Sequence, residues 1–161
     1  MFCQILQDTP VAIKVREDPL LFPVIEAAHV LAACFVVGSV AVVDLRLLGV
    51  NAIYRSVRQI MKHVLPLTWC AFLCAVLTGA TLFSTDPVEY SHNGAFRVKF
   101  ILLGLAAVNV VAFHSLRGWG GDDWDGTDRT PRFARLAGVI SLLLWIGITA
   151  CGRAIGFAAD M

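Results

Sequence analysis

The chain has 161 residues, of which 58% are hydrophobic and 16% are charged, and its mean hydropathy is +0.74. Soluble domains are usually about 45–50% apolar and about 25% charged, so this composition excludes an ordinary soluble domain. A net charge of +1 excludes the strongly basic field that holds nucleic acid. Composition therefore places most of the chain in a lipid bilayer and predicts no nucleic-acid partner.

The first predicted element is a short helix on the membrane surface. Thr9 followed by Pro10 is typical of a helix start, because proline suits the first helical position. Residues of about 10–17 then mix apolar and charged side chains, which favours an interfacial amphipathic helix.

Four apolar stretches are long enough to cross a bilayer, whose core of ~30 Å needs about 20 mostly apolar residues in a helix. These stretches are about 22–48, 64–83, 98–116 and 136–157. Their apolar residues are continuous rather than alternating, which excludes barrel strands, so helices must satisfy the backbone. The predicted fold is all-α, a four-helix transmembrane bundle with one or two short interfacial helices, and residues 1–161 form a single integral-membrane domain.

A second interfacial helix is predicted between the first two spans. In residues of about 51–63, apolar side chains recur on one face and basic side chains on the other. That separation is typical of a helix lying in the membrane plane. Pro66 follows it and leads into the second span.

Basic residues are unequally divided between the two sides of the membrane. The side with the first and third loops has eight, and the other side has five. The eight are Arg46, Arg55, Arg58, Lys62, Arg117, Arg129, Arg132 and Arg135. Because basic loops stay in the cytoplasm, we expect both termini to face the periplasm, with the chain in a bacterial inner membrane.

Ionisable residues in or beside the spans are the functional candidates, because lipid makes them costly. Glu26 and His29 are three residues apart and share a helix face. Spans one and four of an antiparallel bundle readily lie side by side. The sequence thus predicts an outer-side pocket formed by Glu26, His29, Arg97, Lys99 and Arg153.

The chemistry of this pocket favours a redox role. Neutral imidazole ligates haem iron, and cations beside it suit haem propionates or a quinone carbonyl. The preferred interpretation is a membrane redox module or subunit that binds haem b or quinone, with His29 as the iron ligand. Less favoured ligands are His63, His92 and His114.

A non-catalytic interpretation stays open beside it. His29 then hydrogen-bonds a neighbouring helix, and Arg97 and Lys99 reach to lipid headgroups. The chain would be an accessory or scaffold subunit of a membrane complex. No nucleotide-binding or hydrolase motif is present in the sequence.

Cysteines and glycines in the spans add two further hypotheses. Cys70 and Cys74 share a helix face, and thiolates favour Cu(I), which gives copper or other metal handling as a third function. Gly152 and Gly156 form a GxxxG pattern. That pattern permits close helix packing within the bundle or between protomers of a homo-oligomer.

One arrangement of residues resembles a known family. His29, Gly38 and the run DLRLLG at 44–49 are followed by Arg97, Lys99 and Gly152-Arg153. This pattern resembles an uncharacterised family, a domain of unknown function, of small four-span bacterial inner-membrane proteins. The resemblance covers roughly residues 20–157 and implies a multi-pass membrane protein without an assigned activity. A more distant similarity is to copper-resistance membrane proteins and four-helix b-type cytochromes.

Overall fold

The computed structural model describes residues 2–50, 57–120 and 130–158, with side chains within 3–50, 62–115 and 130–156. Every regular element in these ranges is an α-helix. The helices are α1 (Phe2–Gln7), α2 (Pro10–Glu17), α3 (Leu21–Leu47), α4 (Val57–Thr85), α5 (Pro87–His92), α6 (Gly94–Gly120) and α7 (Arg132–Ala158). The all-α prediction is confirmed.

Four of these helices are long and apolar enough to cross a membrane. Their spans are Leu21–Leu47, Lys62–Thr85, Gly94–Ser115 and Arg132–Gly156. Each predicted span ends within four residues of its counterpart in the structure. Large apolar side chains such as Leu31, Ile101 and Leu143 remain more than 60% exposed, as expected where lipid replaces water. The chain is therefore a multi-pass membrane protein surrounded by a lipid bilayer.

The spans are packed in the order α4, α3, α7, α6. α3 packs against α4 on one side and α7 on the other, and α7 packs against α6. Within the described residues, the backbones of α4 and α6 do not approach each other. We call the end of the bundle with residues 21, 85, 94 and 156 the terminal face. The opposite end, with residues 47, 62, 115 and 132, is the hairpin face.

The N-terminal helices cover part of the terminal face. The Thr9 hydroxyl accepts a hydrogen bond from the Ala12 N–H at 3.4 Å, and Pro10 occupies the first turn of α2. Ala12 and Val15 are buried, because α2 packs against α3 and α4. The predicted helix at 10–17 is confirmed.

A short helix, α5, connects α4 to α6 and was not predicted. The Asp86 carboxylate accepts from the Glu89 N–H at 3.2 Å, and Pro87 fills the first turn. This Asp-Pro-x-Glu pattern is a helix start of the same kind as Thr9-Pro10. α6 begins at Gly94, and the side-chain oxygen of the preceding Asn93 accepts from the Ala95 N–H at 2.9 Å.

The predicted interfacial helix at 51–63 overlaps the start of α4. α4 is continuous from Val57 to Thr85 and includes Pro66, so residues 57–63 are the first residues of the helix that contains the second span. Residues 51–56 lie outside the described part of the chain. Pro66 removes one backbone hydrogen bond, to the carbonyl of Lys62. That carbonyl lies at the hairpin face, where water or headgroups replace the lost donor, so the helix continues through the proline.

The run DLRLLG ends α3 for a definite conformational reason. Gly49 has a positive φ of 85°, which glycine adopts without steric cost. Its N–H bonds the Arg46 carbonyl and the Val50 N–H bonds the Leu45 carbonyl, both at 3.1 Å. These two bonds satisfy carbonyls at the end of the helix, as in a Schellman motif.

Candidate functional site

His29 projects from α3 onto α4 in the terminal half of the bundle. Its Nδ1 lies 2.9 Å from the Ala75 carbonyl oxygen and 3.1 Å from the Thr78 hydroxyl oxygen. Both partners are on α4, and the side chain is half-buried. The alternative expectation that His29 hydrogen-bonds a neighbouring helix is therefore met.

The two contacts fix the tautomer of His29. A carbonyl oxygen only accepts, and the Thr78 hydroxyl already donates its hydrogen to the Cys74 carbonyl at 2.7 Å. Both atoms therefore accept from His29, and Nδ1 must carry the proton. A neutral imidazole then has its lone pair on Nε2, which makes no hydrogen bond to any described residue. His29 is therefore oriented by α4, with Nε2 as an unused hydrogen-bond acceptor.

Gly79 makes room for this ring. A Cβ atom at Gly79 would lie 2.9 Å from His29 Cε1 and 3.3 Å from Nδ1. Atoms cannot approach so closely, so any larger residue would displace the imidazole. Sequence reasoning missed Gly79, although a lone glycine inside an apolar span signals a close approach.

Lys99 projects from α6 toward α7. Its ammonium lies 3.7 Å from where a Cβ of Gly152 would be, an ordinary contact distance, so Lys99 lies beside Gly152 of α7. The charge of Lys99 also acts on the His29 ring. The GxxxG glycines thus differ, because Gly156 has only open space around it among the described residues.

Glu26 and Tyr90 lie at the terminal side of this cluster. The charge of Glu26 acts on both His29 and Tyr90. Burial raises the pKa of the Tyr90 phenol above its usual value, and the nearby charges of Glu26, Glu89 and Asp86 raise it further. Tyr90 therefore stays protonated and available as a hydrogen-bond donor. We call Glu26, His29, Tyr90 and Lys99 the terminal cluster.

Aromatic rings surround Tyr90. Phe96 stacks on Phe83 with ring centroids 5.3 Å apart, and it lies 5.7 Å from Tyr90. Phe100 continues the row at 4.8 Å from Phe96 and is 59% exposed. The ends of α4, α5 and α6 therefore present a face of π systems beside the terminal cluster.

The remaining predicted site residues lie elsewhere. The Arg97 Nε donates to the Ser91 carbonyl at 2.8 Å, so Arg97 is directed along α5. Arg153 is on the exposed surface of α7, and His92 is exposed at the end of α5. His63 and His114 lie at the hairpin face, where His114 Nδ1 is 2.9 Å from the Val110 carbonyl. Of the residues predicted for the pocket, Glu26 and Lys99 are the ones whose charges act on His29.

The cysteines do not gather with the histidines. Cys34, Cys70 and Cys74 are exposed on the bundle surface, Cys3 and Cys151 are half-buried, and all five are free thiols. Within the described ranges, no group of three or more His, Cys, Asp or Glu side chains is placed to hold a metal ion.

Asp44 is the buried polar residue whose environment the sequence did not reveal. It is 4% exposed, and its Oδ2 has no hydrogen-bond partner. Apart from Arg46, its sequence neighbours on α3 are apolar, so only the packing of α7 shows that this carboxyl is enclosed.

Comparison with known sequences identifies the family. A family of unknown function, DUF6644, matches residues 22–158. The chain belongs to this family. The matched range includes all four spans and the terminal cluster, and it agrees with the resemblance carried by His29, Gly38 and the DLRLLG run. No curated protein and no solved structure matches the chain.

Proposed function

We propose that this DUF6644 protein is a redox subunit of a bacterial inner membrane that binds the headgroup of a quinone or quinol at the terminal cluster. The observation that carries the proposal is the tautomer of His29. Two acceptors on α4 hold its Nδ1–H, so Nε2 is an oriented acceptor for a quinol hydroxyl.

Neighbouring residues complement a quinone ring. The Lys99 ammonium suits a quinone oxygen that gains negative charge, because a cation stabilises such charge in a low-dielectric site. The protonated Tyr90 hydroxyl is a second donor. The row of Phe83, Phe96 and Phe100 offers the offset stacking that flat rings favour, and the exposure of Phe100 gives a lipid-soluble tail a route from the bilayer.

Haem b is the second candidate, favoured by the same lone pair. Histidines that ligate metals usually donate the other ring N–H to a carbonyl or carboxylate, as His29 does to Ala75. The close fit of the ring against Gly79 favours the smaller quinone headgroup. Haem binding would require α3 and α4 to separate at this level.

The proposal includes a membrane orientation and a partner. Both termini face the periplasm, because the side of the hairpin face has eight basic residues and the other has five. A partner redox protein exchanges electrons with the bound quinone, and Gly156 is an open surface for a second helix or protomer. A reporter that is active only in the cytoplasm, fused after Met161, should show no activity. Activity of this fusion would show that the termini face the cytoplasm instead.

Quinone and haem content of the purified protein tests the function. Wild type should bind a short-chain quinone saturably, His29→Ala should bind it at least tenfold more weakly, and His92→Ala should bind like wild type. His92 is the matched control because it is exposed at the same face. A Soret band lost in His29→Ala would favour haem instead. If wild type binds neither, the redox function is wrong and the scaffold interpretation replaces it.

A further inference from the structure

A cavity of about 120 Å³ lies in the hairpin half of the bundle, where residues from α3, α4, α6 and α7 meet. Most of its wall is apolar. Its polar lining residues are Ser39, Asp44, Thr68, Asn109, His114 and Ser141. The volume equals about four water molecules at ~30 Å³ each, so the cavity fits a small ion with some of its water.

The spare hydrogen-bonding capacity in this cavity consists mainly of acceptors. Asp44 Oδ2 is unbonded, and the Ser141 hydroxyl bonds the same carboxyl. The Asn109 amide donates one of its two N–H groups to the Ala137 carbonyl at 3.0 Å, which leaves its oxygen and the second N–H as its remaining polar groups. A ligand must therefore supply donors or positive charge.

His114 and Thr68 likewise have no spare hydrogen-bond donor to offer in the cavity. His114 Nδ1 contacts the Val110 carbonyl, so the proton is on Nδ1 and Nε2 is an acceptor. The Thr68 hydroxyl has one hydrogen, which it donates either to Ser39 Oγ at 2.8 Å or to the Val64 carbonyl of its own helix at 2.9 Å. Neither residue offers a donor to Asp44, so one oxygen of this enclosed carboxylate lacks a donor, which is costly.

From these features we propose that the hairpin half binds a small monovalent cation, with Asp44 as its anionic ligand and Ser141 and Asn109 as neutral oxygen ligands. The charge of the ion follows from the charge of the site. Asp44 is the one carboxylate among the described lining residues, whereas Ca²⁺ sites usually combine several acidic oxygens. The remaining ligands are waters within the cavity. This site is separate from the terminal cluster and does not depend on the quinone proposal.

The position of the cavity gives the ion access from water. Asp44 is three residues from Leu47, where the first span ends, which is about 4.5 Å along the helix. Val64, on the opposite wall, is two residues from Lys62, where the second span begins. The ion thus reaches the site from the hairpin face without crossing the hydrocarbon core.

Thermal unfolding of the purified full chain tests the site. N-methyl-D-glucamine chloride, too large for the cavity, is replaced by NaCl, KCl or NH4Cl at constant ionic strength. At least one small cation should raise Tm by about 3–6 °C at tenfold excess over its Kd, and the effect should saturate. Asp44→Asn should lose this shift. Glu17→Gln, an exposed acid-to-amide change on α2, should keep it.

Three results would overturn the proposal: no small cation shifts Tm in wild type, the shift persists in Asp44→Asn, or the shift rises without saturation, as ionic screening does. If Asp44→Asn does not fold, Ser141→Ala takes its place. That variant should raise the Kd of the effective cation about three- to tenfold, because one oxygen ligand is removed. An unchanged Kd in Ser141→Ala would also contradict the site.

Discussion

In the terminal half of the bundle the ring of His29 is held by two acceptors on α4, whereas in the hairpin half the carboxyl of Asp44 is 4% exposed and keeps one oxygen unbonded. Both residues are on α3, and both face a neighbouring span. The difference lies in what that neighbour provides. α4 offers His29 a backbone carbonyl and a hydroxyl, while α7 offers Asp44 the single hydroxyl of Ser141.

Glycine determines both contacts. Gly79 on α4 leaves space for the His29 ring, and Gly138 on α7 brings the helix backbone against α3. Close helix packing therefore has two different results. It supplies His29 with hydrogen-bond partners, and it encloses Asp44 with one oxygen unbonded.

The largest expected effect is on the hairpin half alone. A Cβ at Gly138 would lie 3.2 Å from the Asp44 carbonyl oxygen and 3.2 Å from Leu47 Cβ, and a backbone atom has no rotamer to change. Gly138→Leu should therefore lower the free energy of unfolding by about 3 kcal/mol, at the upper end for overpacking. Unfolding in mixed micelles measures this. Gly104→Leu is the control, since Gly104 has nothing within 4 Å, and an equal loss there would contradict the account.

The second effect is on the terminal half. Gly79→Ala places a methyl group 2.9 Å from His29 Cε1, so the ring must turn away from Ala75. Quinone affinity should fall about tenfold, equivalent to ~1.4 kcal/mol, while the cation-dependent Tm shift of the hairpin half remains. Gly38→Ala on α3, with no atom within 4 Å, should leave quinone affinity unchanged. Equal affinities for Gly79→Ala and wild type would show that the orientation of His29 is unimportant.

These two halves also show what sequence reasoning reaches. The spans were predictable because about twenty consecutive apolar residues form few structures other than a membrane-spanning helix. The helix α2 was predictable from Thr9 and Pro10. The grouping of Glu26, His29 and Lys99 was predictable from depth in the membrane. The helix start at Asp86 was present in the sequence but fell in a short connection that was not assigned a helix.

The enclosure of Asp44 was not predictable. Its burial depends on which face of α3 meets α7, and that choice is made by Gly138 and Ser141, about a hundred residues later in the chain. Likewise, the direction of Arg97 follows from α5 and its Ser91 carbonyl. The position of a residue along a span follows from the local sequence. The direction in which its side chain points around the helix axis depends on how distant helices pack.

A smaller effect is expected from removing one acceptor of His29. Thr78→Val keeps the shape and leaves Ala75 as the remaining partner of Nδ1, so the stability loss should be about 0.6 kcal/mol, an average for hydrogen bonds between spans. Thr81→Val is a matched control, because the Thr81 hydroxyl bonds only the Leu77 carbonyl of its own helix. Equal losses in the two variants would show that the contact with His29 adds nothing.

The smallest effect appears only at high pH. The pKa of Tyr90 is raised in the folded protein by burial and by Glu26, so the unfolded state loses the phenol proton first, near the ordinary value of about 10. The stability gained from the neutral phenol is complete below that pH and is lost as pH rises toward the folded pKa. Between pH 9 and 11, Tm should fall more steeply for wild type than for Tyr90→Phe. Parallel curves would contradict this environment for Tyr90.

The most direct test of the proposed quinone site in the terminal half is to locate a bound quinone on the chain. A photoreactive short-chain quinone, cross-linked in the membrane and mapped by mass spectrometry, should label residues near His29 and the aromatic row, within 22–33, 75–83 and 94–103. Unlabelled quinone should compete, and His29→Ala should reduce the labelling. Labelling confined to the hairpin half, or labelling that does not saturate, would contradict a quinone site at His29.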